Sequence, residues 1–267
     1  MATSEAQPLA GRCIAVTRAR PQAREFGDRL TGLGAEVLYC AAIRISEPAD
    51  AAPFKAAVSA LDSYGWLVLT STNGVTMFFE ELARRGKGAL PATLRVACVG
   101  PATAAALRGR GVEPDLLPAE YVGGELANTL GARLQPGARV LIARGAGGAA
   151  ELPERLRAMG AHVDDVESYR SLPDLQNLAE LRARLQHQAV DLIAFTSPST
   201  VTYLAEGLGG LPDGVAFAAI GPVTAARLEE LGAVPAVVAP EHSIPGLVQA
   251  ITQHFASLSD PRKSTHG

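Results

Sequence analysis

An α/β fold with parallel sheets, organised as two similar domains, is predicted by three features of this sequence. Short apolar runs alternate with helical patterns along almost the whole chain, most of those runs end in Gly, Pro, Ser or Thr, and the whole alternation occurs twice. The 267 residues suffice for two modest domains, and 48% hydrophobic content supports a core in each.

The elements follow in order. After a polar opening, Arg12–Thr17 (RCIAVT) reads as a buried strand. The next helix starts near Pro21, carries Phe26, Leu30 and Leu33 on its apolar face, and stops at Gly34. Glu36–Tyr39 is a second strand, and Cys40–Ser46 continues extended toward Pro48, as a linker would. Pro53–Leu61 is a short helix, Gly65–Leu69 a strand, and Val75, Phe78, Phe79 and Leu82 mark the helix after it. Arg95–Val99 is a strand closed by Gly100-Pro101-Ala102-Thr103, where Pro101 suits a first helical turn. Helix 102–110 ends at Gly111, Pro114–Leu117 is a short strand, and Gly123–Leu134 is a helix before the turn Gln135-Pro136-Gly137.

The pattern then restarts. Arg139–Ala143 is a strand, Gly145–Gly148 a glycine-rich turn, and Glu151–Met159 a helix stopped by Gly160. Val163–Val166 is a strand that runs on through Tyr169 to Pro173, followed by helix Leu175–Gln188. Leu192–Phe195, Val215–Ile220 and Ala236–Val238 are strands; helices follow from Val201, from Pro222 and over Pro245–Phe255. Arg18, Leu30, Gly34, Ala35 and Val37 recur about 126 positions later as Arg144, Leu156, Gly160, Ala161 and Val163. Thr70-Ser71 recurs as Thr196-Ser197, and Gly100-Pro101-x-Thr103 as Gly221-Pro222-x-Thr224. Such a period is too long for a solenoid and implies two homologous domains of about five strands each. Periodicity leaves two paths open. Each repeat folds on itself with a boundary near 135–137, or the chain crosses between domains through extended segments 40–48 and 166–174.

Composition excludes several classes. The net charge of −3 and a pI near 6.0 give no basic stripe for nucleic acid. No apolar run reaches membrane-spanning length, and the opening MATSEAQPLAG lacks the basic and apolar regions of a secretion signal, so a cytoplasmic protein is expected. Cys13, Cys40 and Cys98 show no CxxC spacing; Cys13 and Cys98 lie in strand-like runs and read as small buried hydrophobes. Five scattered histidines have no metal-ligand spacing, and no metal is expected. Asp62, Asp164 and Asp165 read as solvated groups, as do His162 and His187.

Candidate chemistry sits where strands end. Ligands of open α/β sheets lie beyond the carboxyl ends of the strands. Thr17-Arg18, Thr70–Asn73, Gly100–Thr103, Arg144–Gly148, Thr196–Ser199 and Gly221–Thr224 all fall at such ends. Each offers free backbone N–H groups at a helix start, hydroxyls or an Arg, which suits an anion. Ser and Thr are also good helix N-caps, and that alone accounts for one copy; two matched copies point to a shared ligand. The loops hold no nucleophile–base pair and no carboxylate dyad, and Arg144-Gly145-Ala146-Gly147-Gly148 completes neither phosphate-loop pattern. Tyr169 stands in an extended segment before a proline. It reads either as a half-buried strand tyrosine or as a phenol at an interdomain hinge, able to give a proton to a departing group.

Taken together, Val16-Thr17-Arg18, Leu69–Val75, Val99–Thr103, Arg144-Gly145, Val166-x-x-Tyr169-Arg170, Phe195–Pro198 and Ile220-Gly221-Pro222-x-Thr224 resemble the uroporphyrinogen-III synthase family over roughly residues 11–256. Order, spacing and duplication carry the resemblance. It implies two flavodoxin-like domains joined by a two-stranded linker with a cleft between them: a discontinuous domain of 1–41 plus 172–267, and an inserted one of 42–171. It implies a lyase that takes linear hydroxymethylbilane, with its eight carboxylates, to uroporphyrinogen III with loss of water and inversion of ring D through a spiro intermediate. Neither cofactor nor metal is implied. Tyr169 is the implied catalytic residue. Arg18, Ser71, Thr72, Asn73, Gly100, Thr103, Arg144, Ser197, Pro198 and Thr224 are the implied substrate contacts. The sequence departs from the family at Ala149, where an Arg is frequent; a cationic contact to one carboxylate is either missing or supplied elsewhere, by Arg18 or Arg170. A monomer is expected, acting on a small molecule without nucleic acid or membrane. The competing readings are a non-enzymatic two-domain protein that binds an anion or tetrapyrrole, and a flavin- or nucleotide-using enzyme on a flavodoxin-like fold.

Overall fold

The computed structural model describes residues 7–18, 20–120 and 122–258, with the side chains of 20–22 outside that description. In order the elements are β1 (Cys13–Val16), α1 (Arg20–Gly32), β2 (Glu36–Tyr39), β3 (Ile43–Ser46), α2 (Ala52–Ser59), a 3-10 turn (Leu61–Ser63), β4 (Trp66–Leu69), α3 (Thr72–Arg84), β5 (Arg95–Cys98), α4 (Pro101–Arg108), α5 (Gly123–Gly131), β6 (Arg139–Gly145), α6 (Glu151–Ala158), β7 (His162–Pro173), α7 (Leu175–Gln186), β8 (Leu192–Phe195), α8 (Pro198–Leu208), β9 (Ala216–Ala219), α9 (Pro222–Glu230), β10 (Val237–Val238) and α10 (Ile244–Leu258). The chain divides into two compact units, residues 1–44 with 172–267 and residues 45–171.

The first unit carries the sheet β10-β9-β8-β1-β2. All its pairings are parallel, with Ile14 opposite Val37 on one side and Leu192 on the other. Helices cover both faces, so β1 and β8 are buried at every position and read as unbroken apolar runs. One face packs Ile14, Val16, Phe26, Leu30 and Ile251; the other packs Ala15, Leu181, Ile193, Phe195 and Leu204. Gly34, at φ +93°, stops α1 in a left-handed conformation that favours glycine.

The second unit carries the sheet β3-β7-β6-β4-β5. Its two faces pack Phe54, Leu67, Leu69, Phe78 and Leu107 on one side and Trp66, Val68, Leu126, Ile142 and Leu156 on the other. Each sheet therefore draws strands from both sequence repeats: β1 and β2 join β8 to β10, and β6 and β7 join β4 and β5. The strand expected at 114–117 contracts to a single parallel bridge, Ala97 to Leu116. That bridge matches the pairing of Ala218 with Val237 in the other sheet. The place of a further strand beyond β5 is kept but Pro114 and Pro118 flank it, and proline cannot donate to a ladder. The segment read as a possible linker, 40–46, ends in β3, an edge strand beside β7.

Charged groups brace the second unit at the amino ends of its strands. Tyr64 is 5% exposed and donates to Asp164 Oδ2 at 2.6 Å, while Arg139 reaches the same oxygen at 3.1 Å and lies 4.8 Å from the Tyr64 ring centre. Asp164 is thus partnered, not a free surface acid, and the hydrogen bond from Tyr64 holds its carboxyl below the usual range. Burial, and then the bond to Asp164, push the Tyr64 phenol up to about 12. The folded state holds that proton more tightly than an unfolded phenol, whose pKa is about 10. The phenol's contribution is complete below that value and is lost as the pH rises toward the folded one. Tyr64→Phe is expected to cost about 1 kcal/mol at neutral pH. Urea unfolding should show the gap between the two proteins closing at high alkaline pH; a gap independent of pH would reject the bond as its source.

Candidate functional site

In the second unit the strand order reverses between β6 and β4: β6 leads outward to β7, and β4 leads outward to β5. Such switch points open a crevice at the carboxyl ends of the strands. The loops there are Thr70–Asn73 after β4 and Arg144–Gly148 at the end of β6. Ser71 is in extended conformation (φ −154°, ψ 159°) and caps α3, its Oγ accepting from Gly74 N at 3.0 Å. Thr72 is exposed and Asn73 half-buried on the first turn of that helix. Ser and Thr favour such positions because the hydroxyl satisfies a first-turn N–H.

Tyr169 meets this cap. It lies in β7, opposite the last residue of β6, and its Oη stands 2.9 Å from Ser71 Oγ. To get there the ring passes over β6. It does so at Gly145, which pairs with Tyr169 where the register shifts after Arg144. A Cβ on Gly145 would stand 2.7 Å from the Tyr169 Cζ, so only glycine leaves the ring its path. Ala146 N donates to Tyr169 O at 2.8 Å and Ser168 Oγ to Arg144 O at 3.2 Å, which fixes the backbone on both sides. Because Ser71 Oγ accepts from Gly74, its own proton is free to go to Tyr169, and the phenol's proton is then free for a ligand.

Arg144 lines a cavity of about 230 Å³ at the same switch point, with Thr70, Val99, Gly123, Gly148 and Ala149 among its neighbours. The guanidinium is gripped by Asp165, Nε to Oδ1 at 2.6 Å and Nη2 to Oδ2 at 2.7 Å, and both side chains are largely buried. This corrects the reading of Asp165 as a solvated group; the hydrogen bonds to its carboxylate raise the Arg144 pKa further. Arg144 Nη1 is buried and has no hydrogen-bond partner among the described residues. Gly100 caps α4 with no side-chain bond, Pro101 follows, and Thr103 is buried on the first turn.

In the first unit the order reverses between β1 and β8. Arg18 is exposed after β1. Ser197 caps α8, with Pro198 next; its Oγ accepts from Thr200 N at 3.4 Å and lies 3.0 Å from Ser199 Oγ. Thr196 Oγ1 is buried without a partner among the described residues. Gly221 caps α9 with no side-chain bond and Thr224 is buried one turn in, the counterpart of Thr103. The two units differ in one respect that bears on chemistry: the Ser71 cap meets a phenol, whereas among the described residues the Ser197 cap meets hydroxyls of its own turn.

The structure brings together Ser71 with Tyr169, and Arg144 with Thr70. Arg170, offered as a substitute cation, is half-buried, and its Nε has no partner among the described residues. Sequence reading missed the roles of Asp165 and Gly145. Gly145 carried a signal, the glycine-rich turn read at 145–148, but its reason, the crossing of an aromatic ring, exists only between strands. Among the described residues no group of three or more His, Cys, Asp or Glu could hold a metal, and no helix is long and apolar enough to cross a membrane.

Comparison with known proteins adds the following. A family model described as uroporphyrinogen-III synthase HemD matches residues 24–249. Uroporphyrinogen-III synthase of Synechococcus elongatus is 33% identical over 258 residues, covering 92% of this chain and 97% of that protein. Uroporphyrinogen-III synthase of Chlorobaculum parvum is 27% identical over 245 residues, covering 90% and 98%. Among solved structures, a mutant uroporphyrinogen III synthase of Thermus thermophilus shares the fold with a TM-score of 0.58 at 22% identity, covering 92% of this chain and 99% of that one. The Helicobacter pylori uroporphyrinogen-III synthetase does so with a TM-score of 0.56 at 18% identity, covering 91% and 99%.

Proposed function

The chain belongs to the uroporphyrinogen-III synthase family, enzymes of tetrapyrrole biosynthesis, and from that premise we propose how its own residues close the ring of hydroxymethylbilane. The observation that carries the proposal is the contact of Tyr169 Oη with Ser71 Oγ across Gly145. Ser71 donates to the phenol oxygen, and Tyr169 gives its proton to the hydroxyl that leaves the substrate. Loss of water produces an azafulvene, an electrophile that cyclises readily without help. The enzyme's task is therefore geometric: the substituted ring carbon must attack first, so that the spiro intermediate forms and ring D inverts. A neutral phenol suits the step because it carries no charge beside the polyanion before the transfer, and the phenolate it becomes regains a proton from the one released when the ring closes.

Holding that polyanion falls to local groups, since the chain as a whole is slightly negative. We assign this role to Arg18, Ser71, Thr72, Asn73, Gly100, Thr103, Arg144, Ser197, Pro198 and Thr224. Gly100 and Gly221 are helix caps without side-chain bonds; Pro101 and Pro222 carry no N–H, so the N–H groups of the second and third helical residues, 102–103 and 223–224, are left for substrate carboxylates. Thr103 and Thr224 are buried on those first turns, so the backbone N–H groups beside them share the load of holding a carboxylate. Residues 1–41 plus 172–267 and 42–171 are proposed as the two substrate-holding domains, and the chain as a cytoplasmic monomer acting on this one small molecule. The non-enzymatic binding reading is not favoured.

Product analysis tests the assignment. The purified protein is incubated with hydroxymethylbilane, the product is oxidised, and type I and type III porphyrin isomers are separated. Type III is expected to dominate. Type I alone, the spontaneous product, would mean that the ring-inverting activity is absent.

A further inference from the structure

We propose that Asp165 is a positioning residue. It holds the Arg144 guanidinium by Nε and Nη2, so that the remaining edge serves one carboxylate side arm of the substrate at the switch point of the second unit's sheet. The inference rests on the tetrapyrrole reading above and assigns one arm of that substrate to one cavity.

Four observations carry it. The Arg144–Asp165 pair is bidentate, at 2.6 and 2.7 Å, and largely buried, so the guanidinium cannot swing between rotamers as an exposed arginine does. Its third nitrogen, Nη1, is buried with no acceptor among the described residues. Buried donors are nearly always paired in native proteins, and a carboxylate supplies the acceptor that is missing. The cavity Arg144 lines is about 230 Å³. Whole small-molecule sites run about 300–1,000 Å³, so this one accommodates an acetate or propionate arm and not a macrocycle. Finally, the turn is shaped around Nη1: a Cβ on Gly148 would stand 2.4 Å from it.

Charge is consistent with this role. Arg144 is the one cation among the described residues lining the cavity, since Ala149 contributes none. The one acid there, Glu151, is already bound to Arg155 at 3.1 Å. Asp165 balances the formal charge of Arg144 but leaves its Nη1 donors charge-assisted. The site thus selects an acceptor that fits the guanidinium edge over any anion at large. Arg144 is placed where the strand order reverses, between β6 and β4, the crevice in which ligands of such sheets bind.

Steady-state rates of type III formation test this with the unsubstituted protein, Asp165→Asn, Asp165→Glu and Gly148→Ala. Asp165→Asn is expected to raise KM for hydroxymethylbilane roughly tenfold and to leave kcat within about twofold, the signature of lost uniform binding. Asp165→Glu should recover part of that loss. Gly148→Ala places a methyl against Nη1 and should raise KM similarly without lowering Tm. A lowered Tm with unchanged KM in Asp165→Asn, together with unchanged KM in Gly148→Ala, overturns the inference and makes the pair a brace of the fold. If Asp165→Asn does not fold, the KM of Gly148→Ala decides. An unsubstituted protein that yields only type I would overturn the enzyme reading, and this inference with it; type III with unmoved KM values overturns this inference alone.

Discussion

Tyr169→Phe is expected to lower the rate of type III formation about a hundredfold, the lower end of what a positioned general acid contributes. The substitution removes one oxygen and little else. The ring's path over Gly145 is shaped by its carbons, and Phe follows it equally well. Ser71 loses its 2.9 Å partner but keeps the bond from Gly74 N, so the α3 cap persists. What disappears is the proton donor proposed above for the leaving hydroxyl. The substrate then has time to lose water and cyclise in solution, and the isomer ratio should move toward type I. An unchanged rate, with an unchanged ratio, would show that the phenol only packs.

Phe78→Ala should cost about 3–5 kcal/mol of stability, the range for deleting a fully buried aromatic. Phe78 has no exposed surface, and its ring lies 6.4 Å from that of Phe54 and 5.7 Å from that of Phe79. It belongs to α3, whose first turn carries the Ser71 cap, and the cluster it fills also holds Leu69 and Val166, which lead into the loops of the site. Loss of the ring leaves a cavity that the rigid sheet beside it cannot close. Denaturant unfolding measures the effect; a loss under about 1 kcal/mol would mean that the core relaxes around the gap, contrary to its close packing.

Much of this molecule is legible in its sequence, for a physical reason: sheets covered on both faces need central strands that are apolar at every position. The central strand β8 is readable to the residue from that rule, and the glycine and proline punctuation places the helices between strands. The strand expected at 114–117 failed because its prolines allow one bridge and no ladder. Switch-point loops were legible too, since Ser71, Ser197, Gly100 and Gly221 are cap residues whose chemistry acts within one turn of the chain.

What no local pattern could supply were partners far apart in the chain. Tyr169 lies 98 positions from Ser71, and neither position reveals the other. Asp165 looked solvated because its neighbours in sequence, Asp164 and Glu167, are polar; its partner Arg144 is 21 positions away on the adjacent strand. Periodicity records which face of an element is buried, whereas register and strand order decide which side chains meet. In this chain strand order places Gly145 between Tyr169 and Ser71, and the missing Cβ turns a tyrosine and a helix cap into one hydrogen-bonded pair.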